Sequence, residues 1–225
     1  MITRIKINGF KSLVDTELYF GAFTCIAGAN AIGKSNFFDA LIFLSNLADN
    51  TILQAAKSIR SENQKHANIK DIFFNNGKDY FDEMSFEIDM LVAKTAEDDL
   101  GQNAEAQITS LRYTLVLKLN DEINNEISSR EPIEIIKEEL RPIGKIAIKE
   151  NLYFSYEDEW LDSILIGKRV GNPFISTEKD KIKLHQDGNG GKSAQIMAMK
   201  MPRTLLSTVT AESPTAFLVR QEMRN

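Results

Sequence analysis

The string Gly28-Ala29-Asn30-Ala31-Ile32-Gly33-Lys34-Ser35 constrains this chain more than any other feature. Its spacing is Gly-x4-Gly-Lys-Ser. Gly28 and Gly33 permit backbone angles that a side chain would obstruct, so the loop can wrap a small anion with its N–H groups turned inward. A helix that follows adds unpaired N–H donors and a partial positive charge. Lys34 then reaches the β- and γ-phosphates of a nucleotide as a point charge, and the Ser35 hydroxyl would ligate Mg²⁺. The backbone N–H groups of Asn36 and Phe37 would face the α- and β-phosphates. This is the pattern of a P-loop, or Walker A motif. It would arise by chance in roughly one chain in a hundred of this length. The competing reading is a glycine turn with an exposed lysine.

The flanks decide between the two. Ile5 and Ile7 alternate with Arg4 and Lys6, and Leu18 and Phe20 suggest a second strand after a turn near Gly9 and Asp15. Phe23 to Ala27 reads as a third, buried strand, which makes Cys25 a small core residue rather than a reactive thiol. After the loop, Phe37, Leu41, Leu44 and Ala48 fall at helical spacing, and Phe38 and Ile42 widen that stripe. A strand before and a helix after is the context a P-loop needs. The expected ligands are ATP and Mg²⁺. Gly28, Ala29, Asn30, Ala31, Ile32, Gly33, Lys34, Ser35 and Asn36 are the candidate binding residues, with Lys34 as the catalytic one and Ser35 as the metal ligand.

Beyond the helix the expected organisation is a nucleotide-binding core over 1–50, a helical connector over 51–79, an antiparallel β-rich lobe over 80–200 and a helical end over 201–225. Ile52, Leu53, Ala56 and Ile59 suggest a helix, and Asn75-Asn76-Gly77 a turn. Met84 to Val92 and Leu111 to Leu119 alternate clearly and predict two strands with one buried face each. The polar stretch Thr95 to Glu105 predicts a long loop between them. Ile133 and Ile135 suggest one further strand, and Ile146 and Ile148 another. Asp158 to Ile166 suggests a short helix around Trp160. Lys181–Leu184 and Ala194–Met197 flank a glycine hairpin. Ser213-Pro214 reads as an N-cap followed by Pro at the first helical position. The string Gly190-Gly191-Lys192-Ser193 imitates the motif, but Gln186 stands where its first glycine should be.

Hydrolysis needs more than a P-loop. It needs an acidic residue at the end of a buried strand and a group that positions water. The nearest candidate is Asp121-Glu122, but Lys118 interrupts the strand before it, and a turn is the simpler reading. His66 and His185 have no sequence-local partner. A net charge of −5 gives no compositional support for nucleic-acid binding, although it leaves room for a local basic patch. The single cysteine rules out a zinc site built on paired cysteines. No apolar run is long enough to span a membrane, and the N-terminus lacks a signal-peptide pattern, so the expected location is cytoplasmic.

The opening Ile5-Lys6-Ile7-Asn8-Gly9-Phe10-Lys11-Ser12-Leu13, followed by the P-loop and Lys34-Ser35-Asn36, resembles the ABC-type ATPase heads of the SMC and RecF class. It is most similar to bacterial AAA family ATPases related to OLD proteins, many of which serve in phage defence. The resemblance implies an α/β fold: the N-terminal lobe of a P-loop NTPase, with a mixed sheet that contains a large antiparallel segment. It also implies that Lys11, in the Phe10-Lys11-Ser12 signature, lies near the nucleotide; an ordinary turn lysine is the alternative. Gln221 is the late glutamine that could correspond to the family's Mg²⁺-contacting one. The family's later lobe, which carries the ABC signature, the Walker B acids and a switch histidine, has no counterpart here. The chain is therefore expected to be an incomplete head. A homodimer or a partner ATPase head would complete it, with DNA or an effector subunit as possible partners by analogy. Two other readings stay open. One is a binding or scaffold protein in which nucleotide orders a docking surface. The other is a small P-loop kinase or GTPase. The absent Asn-Lys-x-Asp motif and the antiparallel β-segment argue against that one.

Overall fold

The computed structural model describes residues 1–30, 32–59, 68–98, 100–120, 131–167, 171–185, 187, 194–197 and 201–224. The alternating segments become β1 (Ile2–Asn8), β2 (Thr16–Tyr19), β3 (Glu83–Leu91), β6 (Ser110–Leu119) and β7 (Ile133–Pro142). β8 (Ile175–Glu178), β9 (Lys181–Leu184) and β10 (Ala194–Met197) extend them. Together they form one eight-stranded sheet in the order β10-β9-β8-β7-β6-β3-β1-β2. Every described pairing in it is antiparallel, so the expected antiparallel segment makes up the whole described sheet. The first two strands and the later ones share that sheet, and the sequence boundary at residue 80 does not divide it.

One face of the sheet holds the main core. Helix α1 (Lys34–Leu47) lies on it with Phe37, Ala40, Phe43, Leu44 and Leu47 buried. Helix α2 (Ile52–Ser58) starts at a reciprocal cap, in which the Thr51 hydroxyl accepts the Gln54 N–H and the Gln54 side chain accepts the Thr51 N–H. The opposite face carries a smaller cluster of Leu91, Ile143, Ile148, Leu152 and Leu161. This cluster lies under α3 (Lys145–Asn151) and α4 (Asp158–Ile164). Helix α5 (Pro214–Arg224) begins after Ser213 as expected and packs beside α1 on the core side. It runs antiparallel to α1: Arg220 donates to the Ala48 carbonyl, and the Arg224 carbonyl accepts from Ser45.

Several expectations need correction. Ile146 and Ile148 lie on helix α3, not on a strand. The Ile148 N–H bonds the Gly144 carbonyl, and Ile148 is buried while Ile146 is 77% exposed. Two apolar residues two apart satisfied a strand period, but Ile148 and Leu152, four apart, form the face that is buried. On α1, Phe38 and Ile42 are 48% and 46% exposed, so the buried stripe is rotated toward Ala40 and Phe43. The loop between β3 and β6 contains a ribbon, β4 (Thr95–Glu97) paired with β5 (Asn103–Glu105), whose Ala104 is buried. The largest correction concerns Phe23–Ala27. After the Phe20 N–H bonds the Thr3 carbonyl the chain leaves the sheet, and residues 22–29 form no strand. Phe23 is 88% exposed, and Cys25 is exposed rather than in the core. A strand needs a neighbour to pair with its backbone N–H and C=O groups, and no described strand pairs with this segment, although Ile26 packs against the core. Asp121-Glu122, His66 and the Gly190–Ser193 imitation lie outside the described residues.

A bulge in β7 decides one feature of the core. The register of β6 against β7 shifts between Val116↔Lys137 and Leu117↔Ile135, leaving Ile136 as the extra residue. The inward phase then changes from Ile133 and Ile135 to Glu138 and Leu140. Glu138 is fully buried. Its carboxylate accepts the Leu205 and Leu206 N–H groups at 2.7 and 2.8 Å and the Tyr113 hydroxyl at 3.1 Å. It thereby fastens the 3₁₀ turn Leu206–Thr208 to the sheet. Burial pushes its pKa up from 4.5 to about 7, and the three donors offset part of that rise. Between these values the folded protein holds a proton that the unfolded chain has released. The stability this provides is therefore full below pH 4.5 and is lost as pH rises through about 7. Urea unfolding across that window should show stability falling with pH by up to about 3 kcal/mol, and Glu138→Gln should flatten the slope.

Candidate phosphate-binding site

Helix α1 begins abruptly. Gly33 sits at φ 99° and ψ 0°, a left-handed conformation that suits glycine, and no side chain caps the helix. The first backbone bond of the helix runs from the Phe37 N–H to the Gly33 carbonyl at 3.0 Å. The N–H groups of Lys34, Ser35 and Asn36 thus precede any intrahelical acceptor. No acidic residue stands in the first turn to neutralise this positive end.

Lys34 folds back over the loop. Its ammonium donates to the Gly28 carbonyl at 2.7 Å and the Ala29 carbonyl at 2.6 Å. The loop is close-packed on itself: a Cβ on Gly28 would come within 3.2 Å of the Ile32 side chain. Ser35 is exposed at the helix start. Gly28, Ala29, Asn30, Ile32, Gly33, Lys34, Ser35 and Asn36 therefore lie together around one bare helix terminus, and Ala31 lies outside the described residues. Free N–H donors, one cation and one hydroxyl form a donor set suited to a phosphate with a divalent cation. An anion entering here would offer Lys34 charged oxygens in place of two neutral carbonyls, and charge-assisted bonds of that kind are stronger.

Lys11 is near the site but points elsewhere. It lies in a turn with φ 47°, and its ammonium pairs with the Asp39 carboxylate at 2.8 Å. Asp39 is buried, four residues after Ser35 on α1. The pairing leaves no bare carboxylate one helical turn from the uncapped N-terminus of α1. Gln221 is far from the site. It donates to the Glu97 carbonyl, in the group of contacts that α5 makes beyond Ser45. Ser45 itself is ten residues, or about 15 Å, along α1 from Ser35. His185 bonds Ser176 at 2.8 Å on the β8–β9 hairpin and takes no part in the loop.

Reading the sequence alone missed Ser12. The Asn36 side-chain amide donates to the Ser12 hydroxyl at 2.7 Å, and the same hydroxyl oxygen lies 3.3 Å from where a Gly33 Cβ would be. The available signal was the Phe10-Lys11-Ser12 element, which drew attention to its charge and not to its hydroxyl.

Two outcomes follow. Gly33→Ala should lower stability by about 1–2 kcal/mol, because it strains a left-handed position. It should cost more than Gly77→Ala, whose position is also left-handed (φ 91°) but has nothing within 4 Å, and paired thermal melts would show the difference. Cys25 should react with a thiol reagent in the native protein as fast as it does in urea; protection on folding would contradict its exposure.

Comparison with protein families matches the AAA ATPase domain over residues 1–166. Comparison with curated proteins finds no match. Among solved structures, one from work on the "ATP-driven dimerization and DNA stimulated activation of SMC ATPases" is similar at 15% identity and a TM-score of 0.36. The match covers 72% of this chain and 90% of that one, a likeness too loose to carry the fold from one to the other. The family match spans both the Gly28–Ser35 loop and the central strands of the sheet, and the chain belongs to the AAA ATPase domain family.

Proposed function

We propose that this protein is the ATP-binding lobe of an SMC/RecF/OLD-like ATPase. It would hold Mg-ATP in the loop from Gly28 to Ser35 and need a second lobe or polypeptide for hydrolysis. The observation that carries the reading is the uncapped N-terminus of α1 behind Gly33, with Lys34 held across the loop. Membership of the ATPase family supports it. Lys34 would hold the β- and γ-phosphates and stabilise transferred charge, and the first-turn N–H groups would fix the phosphate chain. Mg²⁺, held by Ser35, would neutralise phosphate charge.

The composite part of the reading rests on two observations. Among the described residues no group of three or more His, Cys, Asp or Glu is arranged to hold a metal ion. Residues 22–29 have strand-like composition but no strand partner among the described residues, and Phe23 and Ile32 beside the loop are 88% and 69% exposed. A neighbouring head, as a second copy or a different chain, would cover this surface and supply the acid that activates water. Phage defence and action on DNA are further possibilities of the same class.

Binding of radiolabelled ATP tests the first part. The parent should bind in the presence of Mg²⁺, and Lys34→Ala should weaken binding by roughly 10- to 100-fold, the worth of hydrogen bonds to a charged group. Ser35→Ala should remove most of the Mg²⁺ dependence. Equal binding by parent and Lys34→Ala would sink the reading. Steady-state hydrolysis by the pure chain at concentrations where it is monomeric, abolished by Lys34→Ala, would keep the site and overturn its composite nature.

A further inference from the structure

We infer that Ser12 is a positioning residue for the phosphate loop, acting through Asn36 and against Gly33. The inference rests on the proposed nucleotide reading for its functional meaning but not for its structural content. The turn that carries Ser12 is tightly held. The Gly9 N–H bonds the Leu13 carbonyl, and the Leu13 N–H bonds the Phe10 carbonyl. From outside the turn, the Lys11 N–H bonds the Ile72 carbonyl and the Phe74 N–H bonds the Gly9 carbonyl. Phe10 also forms a bridge with Phe73, and its ring packs in the core against Phe43 and Phe86. Such a turn is a rigid support rather than a loose loop.

From that support two side chains reach α1. Lys11 pairs with Asp39, and Ser12 accepts the Asn36 amide at 2.7 Å. Asn36 is the third residue of the helix, one of the three whose N–H groups have no intrahelical acceptor. Holding its side chain from outside leaves its backbone N–H directed to the bare end. Gly33 supplies the second contact. Only its hydrogen lies where a Cβ would press on the Ser12 hydroxyl at 3.3 Å and approach Leu13 at 3.9 Å. The turn and the loop thus meet at the residue where the loop becomes helix. Ser12 fixes the angle at which three N–H donors leave the helix, and geometry of that kind decides how well several donors converge on one anion. Ser12 itself is exposed and buries no apolar surface, so its contribution to global stability is small.

Hydrogen exchange on the nucleotide-free protein reads the positioning directly. Ser12→Ala should speed exchange of the Phe37 amide, the first bonded amide of α1, by roughly fivefold, the size expected for one hydrogen bond. The melting temperature should stay within about a degree. Ser12→Thr, which keeps the hydroxyl, should restore parent exchange. Asn36→Ala should produce the same change, and the Ser12→Ala/Asn36→Ala double variant should add little to either, since both remove one interaction. In Mg-ATP binding, Ser12→Ala should raise Kd by a similar factor. Unchanged Phe37 exchange in Ser12→Ala, or fully additive effects in the double variant, would overturn the inference. If Lys34→Ala binds ATP as well as the parent, the nucleotide reading fails, and the exchange measurement still decides the role of Ser12.

Discussion

Three phenylalanine rings hold the molecule together at the point where it matters for the site. Phe10 comes from the turn after β1, Phe43 from the middle of α1 and Phe86 from β3, and their centroids lie 5.7 to 5.8 Å apart. All three are fully buried. Aromatic packing at these separations is favourable beyond the area it removes from water. Here it ties three elements of different kinds to one another. The sheet sets where Phe86 stands, Phe86 and Phe10 set where α1 can lie, and α1 sets where its bare N-terminus opens. Loss of any ring would leave a cavity between elements rather than within one, and helix and turn could then move independently.

The two faces of the sheet solve the burial of charge differently. On the α3 side, Asp89 is fully buried. Its carboxylate accepts a two-pronged contact from Arg112 at 2.6 and 2.7 Å and the Asn151 amide at 2.7 Å, with Arg4 at 3.3 Å. The hydrogen bond to Asp89 pushes the Arg112 guanidinium further into its charged form. That charge is matched in place and fixes the register of β1, β3, β6 and α3 relative to one another. On the core side, Glu138 meets only neutral donors, so its charge is balanced by dipoles and its proton is held more tightly. One sheet thus buries two carboxylates in two ways, Asp89 against guanidinium and amide donors and Glu138 against backbone N–H groups and a hydroxyl.

Much of this was legible in the sequence, and the misses share a cause. The strong alternations of Met84 to Val92 and Leu111 to Leu119 became the central strands because each records a face that is buried along its whole length. The left-handed turn at Gly33 and the helix after it were legible because the spacing of Gly28 to Ser35 encodes a local backbone geometry. What failed depended on neighbours. Phe23 to Ala27 has the composition of a strand, and composition does not say whether a partner is present. The bulge at Ile136 inverts the phase of β7 and brings Glu138 inside, which no fixed period of two can express. Ile146 and Ile148 fitted two periods at once, and tertiary packing chose the helical one. The Ser12–Asn36 contact joins residues 24 apart in sequence through a turn whose course is set by Phe73 and Phe86.

Helix α1 is unbroken for 14 residues, so it behaves as a single rod about 20 Å long. Its N-terminal part is gripped by Lys11 and Ser12. Its other end meets α5, where Arg220 and Arg224 both pair with Asp49 just beyond the last turn. One rigid element therefore joins the Gly33 turn to Ser45 and Asp49, and α5 continues the connection through Gln221 to the ribbon at Glu97. The loop at one end of the molecule and the ribbon at the other are thus tied by a continuous chain of packed helices and hydrogen bonds.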